Sequence, residues 1–245
     1  MDPAYVTVHA EEDRHHWWFR GRLAVLVAVL RRVVTRRPAR LLELGCGSGN
    51  VLEALTEFGE TVGMEREPAL LAAARAAGLD VRSGALPRDL VVPDGWADAV
   101  LLLDVLEHID DEAAALATAR RALRPSGTLV VTVPAYAWLW SGHDVALGHR
   151  RRYTAGRLRR TMAGQGFSVD HVTYFNTVLF PAMVAARMWK RVRGDDRHDL
   201  HRPGPLLNSV LTRCFALERL VVPRATLPFG GSLLAVARPG RTKAA

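Results

Sequence analysis

Cysteine is almost missing from this 245-residue chain. Only Cys46 and Cys214 occur, and Cys46 lies inside a glycine run. Neither a disulfide framework nor a cysteine-based zinc site can be built from two such residues, and a reducing, cytoplasmic setting is expected. Long apolar runs are missing too. The longest near the start, Leu23 to Leu30, is too short to cross a bilayer, so an integral membrane protein is not expected. The opening residues, MDPAYVTVHAEEDRHHWWFR, are acidic before they are apolar, the wrong order for a secretion signal. The glycine run is not followed by G-K-[ST], which excludes a P-loop. Acid is absent from Val145 to Val169, while Arg150, Arg151, Arg152, Arg157, Arg159 and Arg160 supply positive charge there.

What is present suits a folded enzyme. Apolar residues make up 49% of the chain, enough for a substantial core, and the length fits one large α/β domain. The net charge of +8, mostly arginine, suits an anionic partner and leaves nucleic acid in view. No internal repeat or low-complexity segment occurs.

Strand and helix patterns alternate along most of the chain. Residues 10–36 read as a helix, with Trp18, Leu23, Leu26, Val27, Leu30 and Val33 at three- and four-residue steps, stopped by Pro38. ARLLELG is a buried strand, followed by a helix from Asn50 to Phe58. ETVGMER is a second strand, and PALLAAARAAG a helix with proline at its start and glycine at its end. LDVRSG, ADAVLLLD and GTLVVTVP are further strands. A helix with acids first and bases last, DDEAAALATARRALRPSG, separates the last two. A helix near 154–165, a strand FSVDHVTYFN and a final strand SLLAVARP follow. Residues 177–229 between those two strands carry helical patterns of their own. The expected architecture is a doubly wound sheet with helices on both faces, an N-terminal helical cap over 1–37, a main domain over 38–245, and a helical insertion at 177–229.

LLELGCGSGN puts Gly45, Gly47 and Gly49 at the carboxyl end of the first strand, where ligands of such sheets bind. Glu65 ends the second strand about twenty residues on, in position to take ribose hydroxyls. A dinucleotide fingerprint needs a further glycine where Asn50 stands. Glu43 in front of the loop opposes a pyrophosphate and suits a cofactor bearing an ammonium group. A nicotinamide oxidoreductase is therefore the weaker reading.

LLELGCGSGN, VGMERE, LLLDVLEHI and RALRPSGTLVVTVPAY together resemble the successive motifs of class I S-adenosylmethionine-dependent methyltransferases. More narrowly they resemble the bacterial type 11/12 group related to quinone-biosynthesis enzymes. The resemblance spans roughly residues 10 to 175. It implies a Rossmann-like, seven-stranded sheet of order 3-2-1-4-5-7-6 and S-adenosylmethionine as cofactor. Carried over by position, Glu43, Gly45, Cys46, Gly47 and Gly49 would line the methionine half of that cofactor, with Glu65 on the ribose and Met64 or Arg66 beside the adenine. SGALP departs from the G-D-A-x-x-L-P of many relatives, so Gly84, Ala85 and Leu86 would meet the base without an acid. Asp104, Val105 and His108 would lie near the methionine portion. HHWWFRGR resembles the N-terminal element of a subset of these enzymes. Its rings, Trp17, Trp18 and Phe19, would either dock the first helix on the sheet or close over the cofactor, with Trp18 covering it and Arg20 pairing with its carboxylate.

Methyl transfer needs an aligned nucleophile, exclusion of water and sometimes a base. The loop PAYAWLWSGHDVALGHRRRY follows the fifth strand. It offers Tyr136, Trp140, His143, Arg150, Arg151, Arg152 and Tyr153 as an acceptor wall, and His143, His149 or His108 as general base. DVLEH stands where base-modifying enzymes carry N/D-P-P-Y, which disfavours amino-methylation of nucleic acids. Adjacent guanidiniums suit a compact anion. Basic residues bordering apolar helices, such as Trp189, Lys190, Arg191 and Arg193, suit an amphiphilic acceptor, a lid, or contact with a membrane surface. The sequence-based expectation is an O- or N-methyltransferase of a small or amphiphilic, anionic acceptor in metabolite biosynthesis, without a metal, as monomer or homodimer. A methyltransferase fold that binds nucleic acid or a protein partner is the alternative.

Overall fold

The structure is a computed structural model that describes residues 12–193 and 203–240, apart from the side chains of 190–192. Seven strands form one sheet in the order β3-β2-β1-β4-β5-β7-β6. They are β1 (Ala39–Leu44), β2 (Gly59–Glu65), β3 (Val81–Ser83), β4 (Ala97–Leu103), β5 (Leu123–Pro134), β6 (Phe167–Phe175) and β7 (Ser232–Pro239). The first five run parallel, with Leu42 opposite both Val62 and Val100. β7 inserts antiparallel between β5 and β6. This is the architecture the motif set implied.

Side chains alternate across each strand, so successive residues feed opposite cores. Leu42 and Leu44 point into a cluster with Val100, Leu116 and Leu158. Leu41 joins Leu26, Leu30, Val130 and Phe215 on the other face. The first cluster is covered by α4 (Glu112–Ala122) and α6 (Ala155–Gly164), and the second by α1 (Trp17–Val33) and α8 (Pro205–Ala216). Two shorter helices, α2 (Asn50–Leu55) and α3 (Pro68–Ala76), follow β1 and β2.

The first helix with described bounds begins at Trp17, inside the 10–36 span the periodicity implied, and residues 10 and 11 of that span lie outside the described residues. Its start is capped from far along the chain. Asn208 of α8 accepts from Trp17 N and donates to His15 O, satisfying amide and carbonyl groups at a helix end. Gly21 lets the two helices close, because a Cβ there would stand 2.5 Å from the Phe215 ring.

Two helices stand where residues 177–229 were expected to be helical: α7 (Phe180–Arg193) and α8. The side chains of Lys190 and Arg191 in the basic cluster, and all of residues 194–202, fall outside what is described. One element was not expected. α5 (Gly142–Leu147) opens on a capping box in which Ser141 and Asp144 bind each other's backbone amides. No described helix is long and apolar enough to cross a membrane.

Candidate functional site

The carboxyl edge of the parallel strands opens into a cavity of about 670 Å³ that runs from the glycine loop to α7. Three non-glycine residues take left-handed backbone at this edge: Asp104 after β4, Tyr136 after β5 and Asn176 after β6, at φ of 56, 57 and 56°. Such conformations cost free energy in residues with a Cβ, and they concentrate where a fold must turn sharply to build a site.

At one end the glycine loop does what its sequence suggests. Gly45 and Gly47 have φ of +80 and +57°. A Cβ on Gly45 would stand 2.7 Å from Val105 Cγ2, whereas one on Gly47 would meet nothing within 4 Å. The amides of Gly45 and Cys46 both donate to Met64 O, folding the loop back over β2. Glu65 is buried and pre-oriented: its Oε1 accepts from the amides of Arg66 and Glu67, and its Oε2 from Gly47 N at 2.9 Å. Glu43 lies beneath the loop, 2% exposed, and its Oε2 has no hydrogen-bond partner among the described residues. Burial pushes its carboxyl up to about 8, with Arg22 opposing that rise and Glu65 adding to it. Burial likewise raises the Cys46 thiol.

The arginine that enters this end is Arg22, not Arg20. Arg20 is exposed on α1 and does not line the cavity. Arg22 lies two positions on, and the 200° turn between them carries it to the buried face. Its Nη2 pairs with Asp104 Oδ2 at 2.6 Å and donates to Thr132 Oγ1, while the Trp18 ring lies 5.3 Å from its guanidinium. Asp13 adds a lid: its carboxylate accepts from Ser48 Oγ and its carbonyl from Asn50 Nδ2.

The other end is assembled by the GHRRRYT segment in a way its charge does not suggest. Arg150 N donates to Glu107 O and Arg150 Nε to His108 O, stitching the segment to the turn after β4. Arg152 is 5% exposed and grips Asp144 with two bonds of 2.7 and 2.9 Å, while a third goes to Ala135 O. Asp144 also accepts from Ser141 N and meets His149 Nδ1 at 2.8 Å. Burial would raise the Asp144 carboxyl, but the bonds from His149 and Arg152 outweigh it and hold the group well below the usual carboxylate range. The result places His149 Nε2 4.0 Å from Glu107 Oε1, with the rings of His149 and His108 4.8 Å apart. Burial raises Glu107 far above its ordinary value, with Asp104 adding to the rise. His108 and His143 are lowered to about 4, chiefly by burial, with His149 contributing at the first and Arg187 at the second.

Several expected site residues lie elsewhere. Gly49, at φ +87°, faces Leu79 and only starts α2. Tyr153 is fully buried and donates to Glu112, so no acceptor reaches it. Arg150 pairs with Asp110, and Arg151 with Glu112 and the Asp110 carbonyl; neither lines the cavity. The acids they meet lie in the turn leading into α4, and proximity in space, not sequence, neutralises the basic segment. Tyr136 stacks on Tyr174 and Trp138 outside the cavity, its phenol pushed up to about 12 by burial and Tyr174, and Trp140 is also outside. The remaining expected residues do line it: Trp18, Glu43, Gly45, Cys46, Gly47, Met64, Glu65, Arg66, Gly84, Ala85, Leu86, Asp104, Val105, His108, His143, His149 and Arg152.

Sequence reasoning missed Arg22, Asp13, Glu107 and Asn176. Asn176 follows β6 and leaves its Oδ1 buried without a hydrogen-bond partner among the described residues. Glu218 fixes it by accepting from the amides of Asn176, Thr177 and Val178. Glu107 carried a readable signal in the LEHI motif, and Asp13 carried none.

The residues present fit the sulfonium cofactor that the motifs imply. The unpartnered Glu43 oxygen suits an ammonium group. Glu65 suits a diol, although the three amides already occupy most of the four or so lone-pair directions of a carboxylate.

Residues 11–172 match a family model described as a methyltransferase domain. Over 166 residues the chain is 31% identical to a Mycolicibacterium smegmatis protein named a probable S-adenosylmethionine-dependent methyltransferase, covering 66% of this chain and 62% of that one. A ubiquinone biosynthesis O-methyltransferase of Xylella fastidiosa is 35% identical over 106 residues, 40% of this chain and 43% of the relative. The chain thus matches less than two thirds of the length of either relative. Among solved structures, a Haloferax volcanii methyltransferase in complex with the Trm112 activator aligns with a TM-score of 0.65 at 20% identity, over 99% of this chain and 97% of that one. An S-adenosylmethionine-dependent methyltransferase from Archaeoglobus fulgidus aligns with 0.61 at 17%, over 97% and 100%. At such identities the likeness is one of fold.

Proposed function

The chain belongs to the class I S-adenosylmethionine-dependent methyltransferases, and on that premise we propose that it methylates an oxygen or nitrogen of a small or amphiphilic acceptor. One observation carries the reading. A single cavity joins the glycine loop, with Glu43 and Glu65, to a histidine-lined end walled by Leu179, Ala182, Met183 and Ala186. S-adenosylmethionine, when bound, supplies an electrophilic methyl group on a sulfonium. Glu43 would hold its ammonium group, Glu65 its ribose, and Gly84, Ala85 and Leu86 the flat face of its base. Trp18 and Arg22, on α1, would exclude water from the donor.

At the acceptor end, His149 is the imidazole equipped to act on the acceptor. Its Nδ1 is tied to Asp144, which presents Nε2 to the cavity and sets the tautomer. His143 and His108 flank the same space. Of the three arginines in GHRRRYT, Arg152 alone borders the acceptor space, and it is neutralised by Asp144. The anion-binding part of the reading therefore shifts to Arg187, which lines the cavity from α7.

The apolar wall suits a lipid- or quinone-like acceptor, and a biosynthetic role in the cytoplasm goes with it. Exposed Leu206, Leu207 and Val210 on α8, continued by Leu217, Leu220 and Val221, would let such an enzyme rest against a membrane. The nucleic-acid alternative is weakened because Arg150 and Arg151 are already matched by acids.

S-adenosylhomocysteine titrated calorimetrically into the folded protein tests the donor site. Binding is expected, with a loss of about 30-fold or more in Glu65→Ala, equivalent to about 2 kcal/mol. Folded protein that binds none of it would sink the reading. Labelled S-adenosylmethionine presented with a panel of hydroxy- and amino-bearing amphiphiles then identifies the acceptor.

A further inference from the structure

We propose that Glu107, His108 and His149 hold one divalent transition-metal ion at the acceptor end of the cavity. The three side chains bring a carboxylate oxygen and two ring nitrogens to within 4.8 Å of one another. Bonds of about 2.1 Å put neighbouring ligand atoms about 3–4 Å apart, so modest rotation of the side chains would close the set on an ion.

Glu107 carries the inference furthest. It is 0% exposed and neither carboxylate oxygen has a hydrogen-bond partner among the described residues. A buried carboxylate left so is costly, and proteins ordinarily pair such a group or give it a metal. Across from it stands the edge of His149, whose Nε2 lies 4.0 Å from Oε1, beyond hydrogen-bond range but across the width of an ion.

His149 is held as a metal ligand is held. Asp144 is gripped by Arg152 and accepts from Ser141 N, so it cannot act as donor, and the Nδ1 of His149 must donate to it. That leaves the Nε2 lone pair directed at Glu107. A carboxylate fixing the far nitrogen of a ligating histidine is the usual second layer of a metal site, where it sets tautomer and ring orientation. The backbone adds rigidity, since Arg150 bonds both Glu107 O and His108 O and ties the two halves of the site together. Two imidazoles and one carboxylate favour zinc, manganese, iron or cobalt over magnesium or calcium, which take all-oxygen surroundings. They also leave coordination positions open toward the cavity.

This deepens the preceding reading and rests on it for its chemistry. An acceptor hydroxyl bound to the ion loses its proton to solvent more readily. Its oxygen lone pair then forms the O–C bond while the C–S bond of the sulfonium breaks, and that electron pair stays on sulfur as a neutral thioether. Under this proposal His149 positions the ion and does not itself take the proton.

Tag-free protein stripped with chelator and titrated with Co²⁺, Mn²⁺ and Zn²⁺ tests the site without any variant. One ion per chain is expected, with visible d–d absorption for Co²⁺. Glu107→Gln should weaken Co²⁺ binding by at least the about 10–100-fold that loss of a supporting group costs, while S-adenosylhomocysteine still binds. Stripped protein that binds S-adenosylhomocysteine but takes up none of the three ions at about 1 mM, a Kd worth only about 4 kcal/mol, would overturn the site and leave the methyltransferase reading standing. Ion binding unchanged in Glu107→Gln would overturn it equally. Loss of S-adenosylhomocysteine binding with one ion still bound would overturn the methyltransferase reading and not the site.

Discussion

The two ends of the cavity were built from equally conspicuous sequence, LLELGCGSGN and GHRRRYT, yet only the first reads directly. The glycine loop acts through its own backbone. Left-handed φ at Gly45 and Gly47 and the folding of the loop over β2 are local properties, so spacing alone announces them. GHRRRYT acts through partners elsewhere: Glu107, His108, Asp110 and Glu112 across the turn after β4, and Asp144 a few residues before. A charge run looks like surface until its counter-ions are known. Three adjacent arginines here end in three environments, one at the surface, one half-buried and one inside.

The sharpest way to test that contrast is Arg152→Ala. The residue is 5% exposed and its removal leaves Asp144 buried with one charged partner fewer. Breaking a buried pair in this way costs about 3–5 kcal/mol. A denaturant melt should show that loss. S-adenosylhomocysteine affinity should persist wherever the variant remains folded, since the glycine end keeps its own supports. A change below about 1 kcal/mol would mean that the arginine behaves as the surface charge it resembles in sequence.

A smaller effect distinguishes the glycine end. Glu43 has its folded pKa raised from 4.5 to about 8. A raised folded value means the folded state holds the proton more tightly. The stabilisation is complete below the unfolded value and is lost as pH rises through about 8. An ammonium-bearing ligand beside Glu43 reverses that preference, so binding near pH 7 should release close to one proton. Affinity should then climb by up to about tenfold, or 1.4 kcal/mol, per pH unit below pH 8 and level off above it. Calorimetry in buffers of different ionisation enthalpy measures the release directly. Glu43→Gln should abolish it, and a release that survives in Glu43→Gln would place the titrating group elsewhere.

The positions of β1, β2 and β4 were legible because parallel strands are short apolar runs ending at punctuation, whereas the order of the sheet and the residues expected at the donor end came from the resemblance to the methyltransferases. Arg22 was not, because Arg20 and Arg22 are equivalent in a string. Only the helix phase, set by packing of Leu26 and Leu30 against the sheet, decides which enters the cavity. Glu107 was passed over for a related reason. In LEHI the histidine draws attention, while the carboxylate becomes chemically distinctive only once folding has stripped it of water and partners. Asp144 had a readable cap signal in S-x-x-D, but its bond to Arg152 depends on the turn at Gly148.

The smallest effect separates neighbours inside one motif. Arg150 points outward, its side chain 52% exposed, against an Asp110 that is 75% exposed. A solvated pair of this kind contributes about 0–1 kcal/mol and is screened by salt. What Arg150 gives the site is chiefly its backbone amide, donated to Glu107 O and preserved on truncation to alanine, while only the exposed bond from its Nε to His108 O is lost. Arg150→Ala should therefore shift the melting midpoint by no more than about 0.5 kcal/mol and leave ligand affinity unchanged, beside a loss several times larger at Arg152. If Arg150→Ala instead lost ligand affinity with its stability intact, its guanidinium would belong to the acceptor wall after all, and charge density in sequence would have been the better guide.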